Sequence, residues 1–307
     1  MKRGLHMKLN QLRDFTAIAE NGSLRAAARS LGQAQPAITR SIQDLEHSLG
    51  VQLFVRSARG VKLTPIGESF LVRARKIMGE VRRGREEVAQ LQGQLEGTLV
   101  AAFSIAGHMA ILGPVLRNFR RRYPKVRLRI IEGLLPALET DLIEGDIDFY
   151  VGPIEGSSRV ADLQISKICD NFRIVVAREG HPLSGARRLE DLRDAEWIAT
   201  SVLREEQDDM LALFSERGLP PPNLACRCEN ALSILSVLLN TDMLAMVPQQ
   251  WLQSDRLRGV LVTVPLVETF PAPPIMLVHG AGLGLTPAAD YFAGLVRQAQ
   301  AAIDAGQ

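Results

Sequence analysis

The sequence is poor in the features that mark several large classes of protein. It has 3 cysteines, Cys169, Cys226 and Cys228, too few for a disulfide framework, which points to a reducing compartment. No apolar run reaches the length of a membrane span, and the opening MKRGLH lacks the apolar core of a signal peptide, with Met7 an alternative start. A cytoplasmic protein with no membrane partner is therefore expected. Catalytic signatures are missing as well. There is no G-x-S-x-G, and the glycines of HGAGLGLTP (Gly280, Gly282, Gly284) fit neither G-x-G-x-x-G nor a Walker A loop, so a tight turn is expected there. Cys226 and Cys228 lack a second Cys/His pair at zinc spacing and are expected to be buried, inert thiols. Asp146 and Asp148 read as a turn and a strand start, and His279 has no evident Ser or Asp partner. The expectation is no enzyme, no metal and no cofactor.

What is present is a soluble composition, 46% hydrophobic and 23% charged, with a net charge of +2 that conceals an asymmetry. Residues 1–97 hold 16 Lys+Arg against 9 Asp+Glu, a balance of +7, whereas the remaining 210 residues hold 20 against 25, a balance of −5. A basic head on an acidic body suits phosphate binding by the head alone.

The head is organised around residues 22–63. Leu24, Ala27, Ala28 and Leu31 lie at helical spacing, Gly32 supplies a tight turn, and Pro36 fits the first turn of a second helix. Ile38, Ile42, Leu45 and Leu49 form the inward face of that helix. Its outward face offers Gln35, Thr39, Arg40 and Gln43, side chains able to bond base edges and phosphates in a major groove. Two short strands follow, Val51 to Phe54 and Val61 to Leu63, with Arg56, Arg59, Gly60 and Lys62 near their tip. Arg25, Pro36 and these tip cations complete the expected DNA contacts. Leu9 to Glu20 is a further helix, packed behind with Leu12, Phe15, Ile18 and Ala19 inward. The plainer alternative is a three-helix packing unit with solvated arginines.

The run AENGSLRAAARSLGQAQPAITRSIQDLEHSLGVQLFVRSARGVKLTPIGE resembles the winged DNA-binding domain of the LysR-type transcriptional regulators over some sixty residues. Ala34 departs from the pattern, because the family usually has Ser or Thr before the Gln-Pro pair and Ala cannot cap a helix.

Thr64-Pro65 opens a long helix whose apolar positions Phe70, Ala74, Ile77, Val81, Gly84, Val88, Leu91 and Leu95 step by four and three, a heptad seam. The spacing predicts helix from Pro65 to about Leu95, with Gly97 as its end, and pairing with a second copy through Phe70, Ala74, Ile77, Val81, Val88 and Leu91. Gly79, Gly84 and Gly93 are expected to bend or break it. The cations Arg73, Arg75, Lys76, Arg82, Arg83 and Arg85 read either as a solvated face or as part of the DNA-facing field.

From Thr98 strands and helices alternate, which implies a parallel sheet covered on both faces. Two strands, Leu163 to Ile168 and Phe172 to Ala177, are expected as separate elements, and FPAPP (Phe270–Pro274) as a crossover. RYPKVRLRIIEG, DLIEGDIDFYVG and NALSILSVLLNTDMLAMVP resemble the effector region of the same family, itself similar to two-lobed periplasmic binding proteins. Asn240 to Asp242 depart from it, since the family usually has Gly there.

The resulting expectation is an α+β multidomain chain: winged helix-turn-helix (1–64), linker and dimerisation helix (65–96), and α/β two-lobed effector domain (97–307). Lobe I is placed at about 97–165 and 270–307, and lobe II at about 166–269. Loops at strand ends and helix starts line the cleft in this reading, which points to Ser104, Ile105, His108, Gly152, Thr200, Ser201 and Asn230 as contacts for a small anionic effector. The resemblance implies double-stranded promoter DNA as partner, a homodimer or homotetramer, and RNA polymerase as a further partner. An enzyme tethered to DNA and a transport solute-binding protein are the competing readings. The missing catalytic motifs oppose the first, and the basic head opposes the second.

Overall fold

Apolar stripes at helical spacing build the N-terminal head. A computed structural model describes residues 7–305 apart from 58–59, 155–158, 201–204, 254–256, 258 and 283. In α1 (Leu9–Asn21), α2 (Leu24–Ser30) and α3 (Gln35–Leu49), the residues Leu12, Phe15, Ile18, Ala27, Ile38 and Leu45 close on one core. Phe15 is its centre, with its ring 5.2 Å from that of Phe54 and 5.3 Å from that of Phe70. Phe54 begins β1 (Phe54–Ser57), which pairs antiparallel with β2 (Gly60–Leu63). Glu46 of α3 fixes this hairpin, its Oε1 accepting from the backbone N–H of Leu53 at 2.7 Å and Phe54 at 3.1 Å.

Helix α4 (Pro65–Leu91) starts as its sequence signals: Thr64 Oγ1 accepts from Gly67 N at 2.9 Å and proline occupies the first turn. It ends earlier than the heptad pattern implies. Gly93, at φ 82°, reverses the chain, and β3 begins at Glu96, so Leu95 and Gly97 lie outside the helix. Two of the expected pairing residues are spent within the chain: Ala74 is buried in the head core and Phe70 packs against it. From Ile77 onward the seam faces outward, with Ile77 37%, Val88 57% and Leu91 74% exposed and Val81 half-buried. The basic run also divides. Arg73 and Arg85 are exposed, while Arg75, Arg82 and Arg83 turn onto the body.

In the body, β3 (Glu96–Phe103) shows period-2 burial on both faces. Leu99, Ala101 and Phe103 enter one core, and Val100 and Ala102 another. A helical run follows directly, α5 (Ile105–Gly107), a π turn over His108–Leu112 and α6 (Gly113–Arg122). Then come β4 (Lys125–Glu132), α7 (Leu135–Glu144), β5 (Phe149–Gly152), β6 (Leu163–Arg178), β7 (Glu196–Ala199), α8 (Glu205–Ser215), β8 (Asn223–Arg227), α9 (Ala231–Asn240), β9 (Leu244–Pro248), β10 (Leu261–Thr263), β11 (Phe270–Gly280) and α10 (Pro287–Ala305).

The strands form one sheet in the order β4-β3-β5-β11-β6-β9-β7-β8, with β10 on β6. Strand β3 pairs parallel with β4 and β5, and β7 pairs parallel with β8 and β9, giving each lobe a parallel set. The expectation of a parallel sheet fails between them, because β6 and β11 are antiparallel to each other and carry the chain from lobe to lobe. The two strands expected over 163–177 are one 16-residue strand, β6. The expected Pro-rich crossover is the first part of β11, where Pro273 and Pro274 lack N–H donors and the register shifts between Ala272 and Ile275. Helix α10 covers the first lobe through Phe292, Ala293 and Val296, while Trp197 and Phe214 centre the second.

Candidate nucleic-acid interface and effector cavity

The inward stripe of α3 leaves its opposite side to solvent. Gln35, Pro36, Thr39, Arg40, Gln43 and Asp44 share one open face, and Thr39 Oγ1 donates to Gln35 O at 3.0 Å. Ala34 stands at the N-cap with no side-chain bond, as its chemistry dictates. Arg25 of α2 and Lys62 of β2 are exposed on the same domain. The hairpin is tied to the α1–α2 turn, Val61 N donating to Gly22 O at 3.1 Å. Arg56 lies opposite Val61 in β1, and Arg59 lies outside the described residues. A solvated helix of donors and acceptors beside a basic hairpin can enter a major groove while holding phosphates.

The second site is a cavity of about 350 Å³ between the lobes. Ser104 and Ile105 line it from the end of β3, Gly133, Leu134 and Pro136 from the start of α7, and Thr200, Ile234, Met246 and Trp251 from lobe II. Asn171 and Arg173 of β6 and Ala272 and Pro273 of β11 form its back, where the lobes join. Ser104 is buried, and its Oγ accepts from Gly107 N at 3.3 Å; Thr200 Oγ1 donates to Met246 O at 3.2 Å. Among the described residues, Asn171 Oδ1 and Trp251 Nε1 are buried without a hydrogen-bond partner. Both residues belong to the cavity wall. Glu132 and Glu229 stand at the exposed mouth.

Three sequence-predicted contacts, Ser104, Ile105 and Thr200, thus reach the wall, and three do not. His108 sets its ring edge-on to Phe103, 5.4 Å between centroids, away from the lining. Gly152 sits behind Ser104, where any side chain would collide with the Tyr150 hydroxyl. Asn230 caps α9, its Oδ1 accepting from Ser233 N at 2.9 Å, and its neighbour Glu229 is the one at the cavity. Ser201 lies outside the described residues. Sequence reasoning missed Asn171, Arg173 and Trp251. The polar residues 171 and 173, two apart and hence on one face of a strand, were the available signal.

Cys226 and Cys228 lie with their sulfurs 3.8 Å apart. Burial, then the neighbouring thiol, pushes Cys228 up to about 11, so it stays a protonated thiol. Among the described residues no cluster of three His, Cys, Asp or Glu could hold a metal ion, and no helix is long and apolar enough to cross a membrane.

A winged reading head joined by one long helix to a two-lobed ligand-receiving body defines the class of effector-responsive transcriptional regulators. Residues 9–68 match the bacterial regulatory helix-turn-helix protein, lysR family, and residues 92–301 match the LysR substrate binding domain. The chain belongs to the LysR family: it is a DNA-binding transcriptional regulator with an effector-binding domain, and not an enzyme. Among its relatives, the HTH-type transcriptional regulator TdcA of Escherichia coli is 24% identical over 95% of this chain and 93% of its own. The HTH-type transcriptional regulator GalR of Pseudomonas putida is 29% identical over 94% of this chain and 73% of its own. Of solved structures, full-length CbnR, a LysR family regulator, complexed with its target DNA is 25% identical, with a TM-score of 0.66 over 95% of this chain and 100% of that one.

Proposed function

We propose that this regulator binds its promoter as paired copies, and that a small organic acid held between the lobes sets how firmly and in what posture it does so. The carrying observation is the make-up of the cavity wall: Arg173, Asn171 and Trp251 with the hydroxyl-bearing Ser104 and Thr200, against apolar Ile234, Met246 and Pro273. An anionic head takes the donors and a short carbon skeleton takes the apolar wall. About 350 Å³ suits a molecule of metabolite size.

Pairing proceeds through the outward seam of α4, Ile77, Val81, Val88 and Leu91, which places two α3 helices on a partly palindromic site. Two pairs can join further into a tetramer through the bodies, and a regulator so placed on a promoter is positioned to meet RNA polymerase. The thiol form of Cys226 and Cys228 suits the reducing cytoplasm.

Calorimetric titration of the full chain with a panel of short carboxylic acids tests the effector, alongside gel shifts on the DNA upstream of its own gene. Saturable binding that is lost in S104A with T200V is expected, and R40A is expected to weaken the shift. Binding by neutral compounds alone would overturn the anionic reading.

A further inference from the structure

Helix α7 runs between the cavity and α4. Its N-terminal end belongs to the cavity: Gly133, Leu134 and Pro136 are on the wall, and Gly133 N donates to Phe103 O at 3.1 Å. Its middle is seated on the sheet by Leu135, Leu142 and Ile143, all buried. Its C-terminal end is held by α4. Gly145 closes α7 at φ 80°, a conformation glycine accepts, and its carbonyl oxygen accepts from Arg82 Nη2 and Arg83 Nη1, each at 3.0 Å. Arg75 Nη1 stands 3.4 Å from Glu144 Oε2, and the same guanidinium lies 3.9 Å from Glu20 at the end of α1 in the head. Arg82 also approaches Asp148, at 3.9 Å.

This contact is built for position. Arg83 is 6% exposed and Glu144 1% exposed, so these two groups are largely withdrawn from water, while Arg75 and Arg82 are half-buried. Cations at the C-terminus of α7 also oppose its negative dipole end. Gly79 admits the approach, since a Cβ there would stand 3.2 Å from Glu144 O. Side chains carried on helical backbone over ten residues, about 15 Å, do not absorb a shift at one end.

We propose that α7 carries the state of the cavity to the DNA-binding head, with its first residues walling the cavity and its last residues gripped by Arg75, Arg82 and Arg83 of α4. A ligand that draws on Gly133–Pro136 displaces the Glu144–Gly145 end, and Arg75 passes that displacement to α1 through Glu20. This rests on the cavity being the effector site. Coupling between two binding events is reciprocal, so DNA at the head must alter α7 at the cavity.

The test is hydrogen exchange of the full chain with and without a short duplex of arbitrary sequence at low ionic strength, followed at the amides of residues 133–138. The duplex is expected to change exchange there by about fivefold in the parent protein, the lower range of allosteric couplings. The change is expected to vanish in R82Q/R83M while the duplex still binds, and to persist in R85Q/R117Q, which removes equal charge from exposed positions. If R82Q/R83M does not fold, R75M serves instead, since it removes the contacts of that guanidinium with Glu144 and Glu20, and the same loss is expected. An unchanged 133–138 segment in the parent with duplex bound, or an undiminished response in R82Q/R83M or R75M, overturns the proposal. Should no small acid bind while the duplex response follows the expected pattern, the effector reading fails and the link through α7 stands.

Discussion

Asn171 of β6 donates its Nδ2–H to the carbonyl oxygen of Pro273 on β11 at 3.2 Å, bridging the two strands at the place where the proline pair breaks their ladder. The bond replaces a backbone rung that proline cannot supply. Its other amide atom, Oδ1, is buried without a hydrogen-bond partner, and the residue lines the cavity. N171A is therefore expected to cost about 1–3 kcal/mol, the penalty of a buried carbonyl left unmade, read as a lower urea midpoint. It is expected to weaken acid binding in the same preparation.

Ala34 leaves the N-terminal amides of α3 without a side-chain acceptor. A34S supplies one and is expected to raise stability by about 1 kcal/mol, measured as a higher unfolding midpoint. A midpoint unchanged or lowered would show that these amides are already satisfied otherwise.

Val88 and Leu91 are 57% and 74% exposed on the outward seam of α4, with no role in the single chain's core. V88D/L91D is expected to shift the protein toward monomer in sedimentation velocity, and to weaken gel shifts by more than tenfold through loss of the paired grip. Stability per chain should change little, because surface positions outside a packed core contribute within about 0.5 kcal/mol.

Asp148 sits beneath α4, its Oδ2 accepting from Val100 N at 2.8 Å. Burial raises its carboxyl above the ordinary 3.8, opposed by that hydrogen bond and by Arg82. A raised folded-state value means the native chain holds the proton more tightly than the unfolded chain. Between 3.8 and the raised value, the contribution of Asp148 to stability therefore falls as pH rises. D148N removes that slope. Its stability relative to the parent is expected to increase from about pH 4 toward neutrality in urea titrations at several pH values, and a constant difference would refute the assignment.

The head was legible because its signals are local. Gly32 and Pro36 mark boundaries within a few residues of one another, and the inward stripe fixes the outward face. The heptad spacing cannot say which of two apolar surfaces it meets, and at Phe70 and Ala74 the head core claims the first turns. Leu95 continues the heptad spacing past Gly93, although the left-handed turn at Gly93 ends the helix. The polar pair after Cys169 reads as a loop, although β6 runs unbroken through it. The cavity was half legible. Ser104 and Thr200 follow strands, which sequence can place, whereas Asn171, Arg173 and Trp251 meet only through the folding of distant segments.

The body's two halves are joined covalently by a pair of strands, β6 and β11, laddered to each other for most of their length. A hinge made of a hydrogen-bonded ribbon resists stretching and sideways shear but yields to torsion along its own axis. Such a joint favours a roll of one half against the other over a change in their separation.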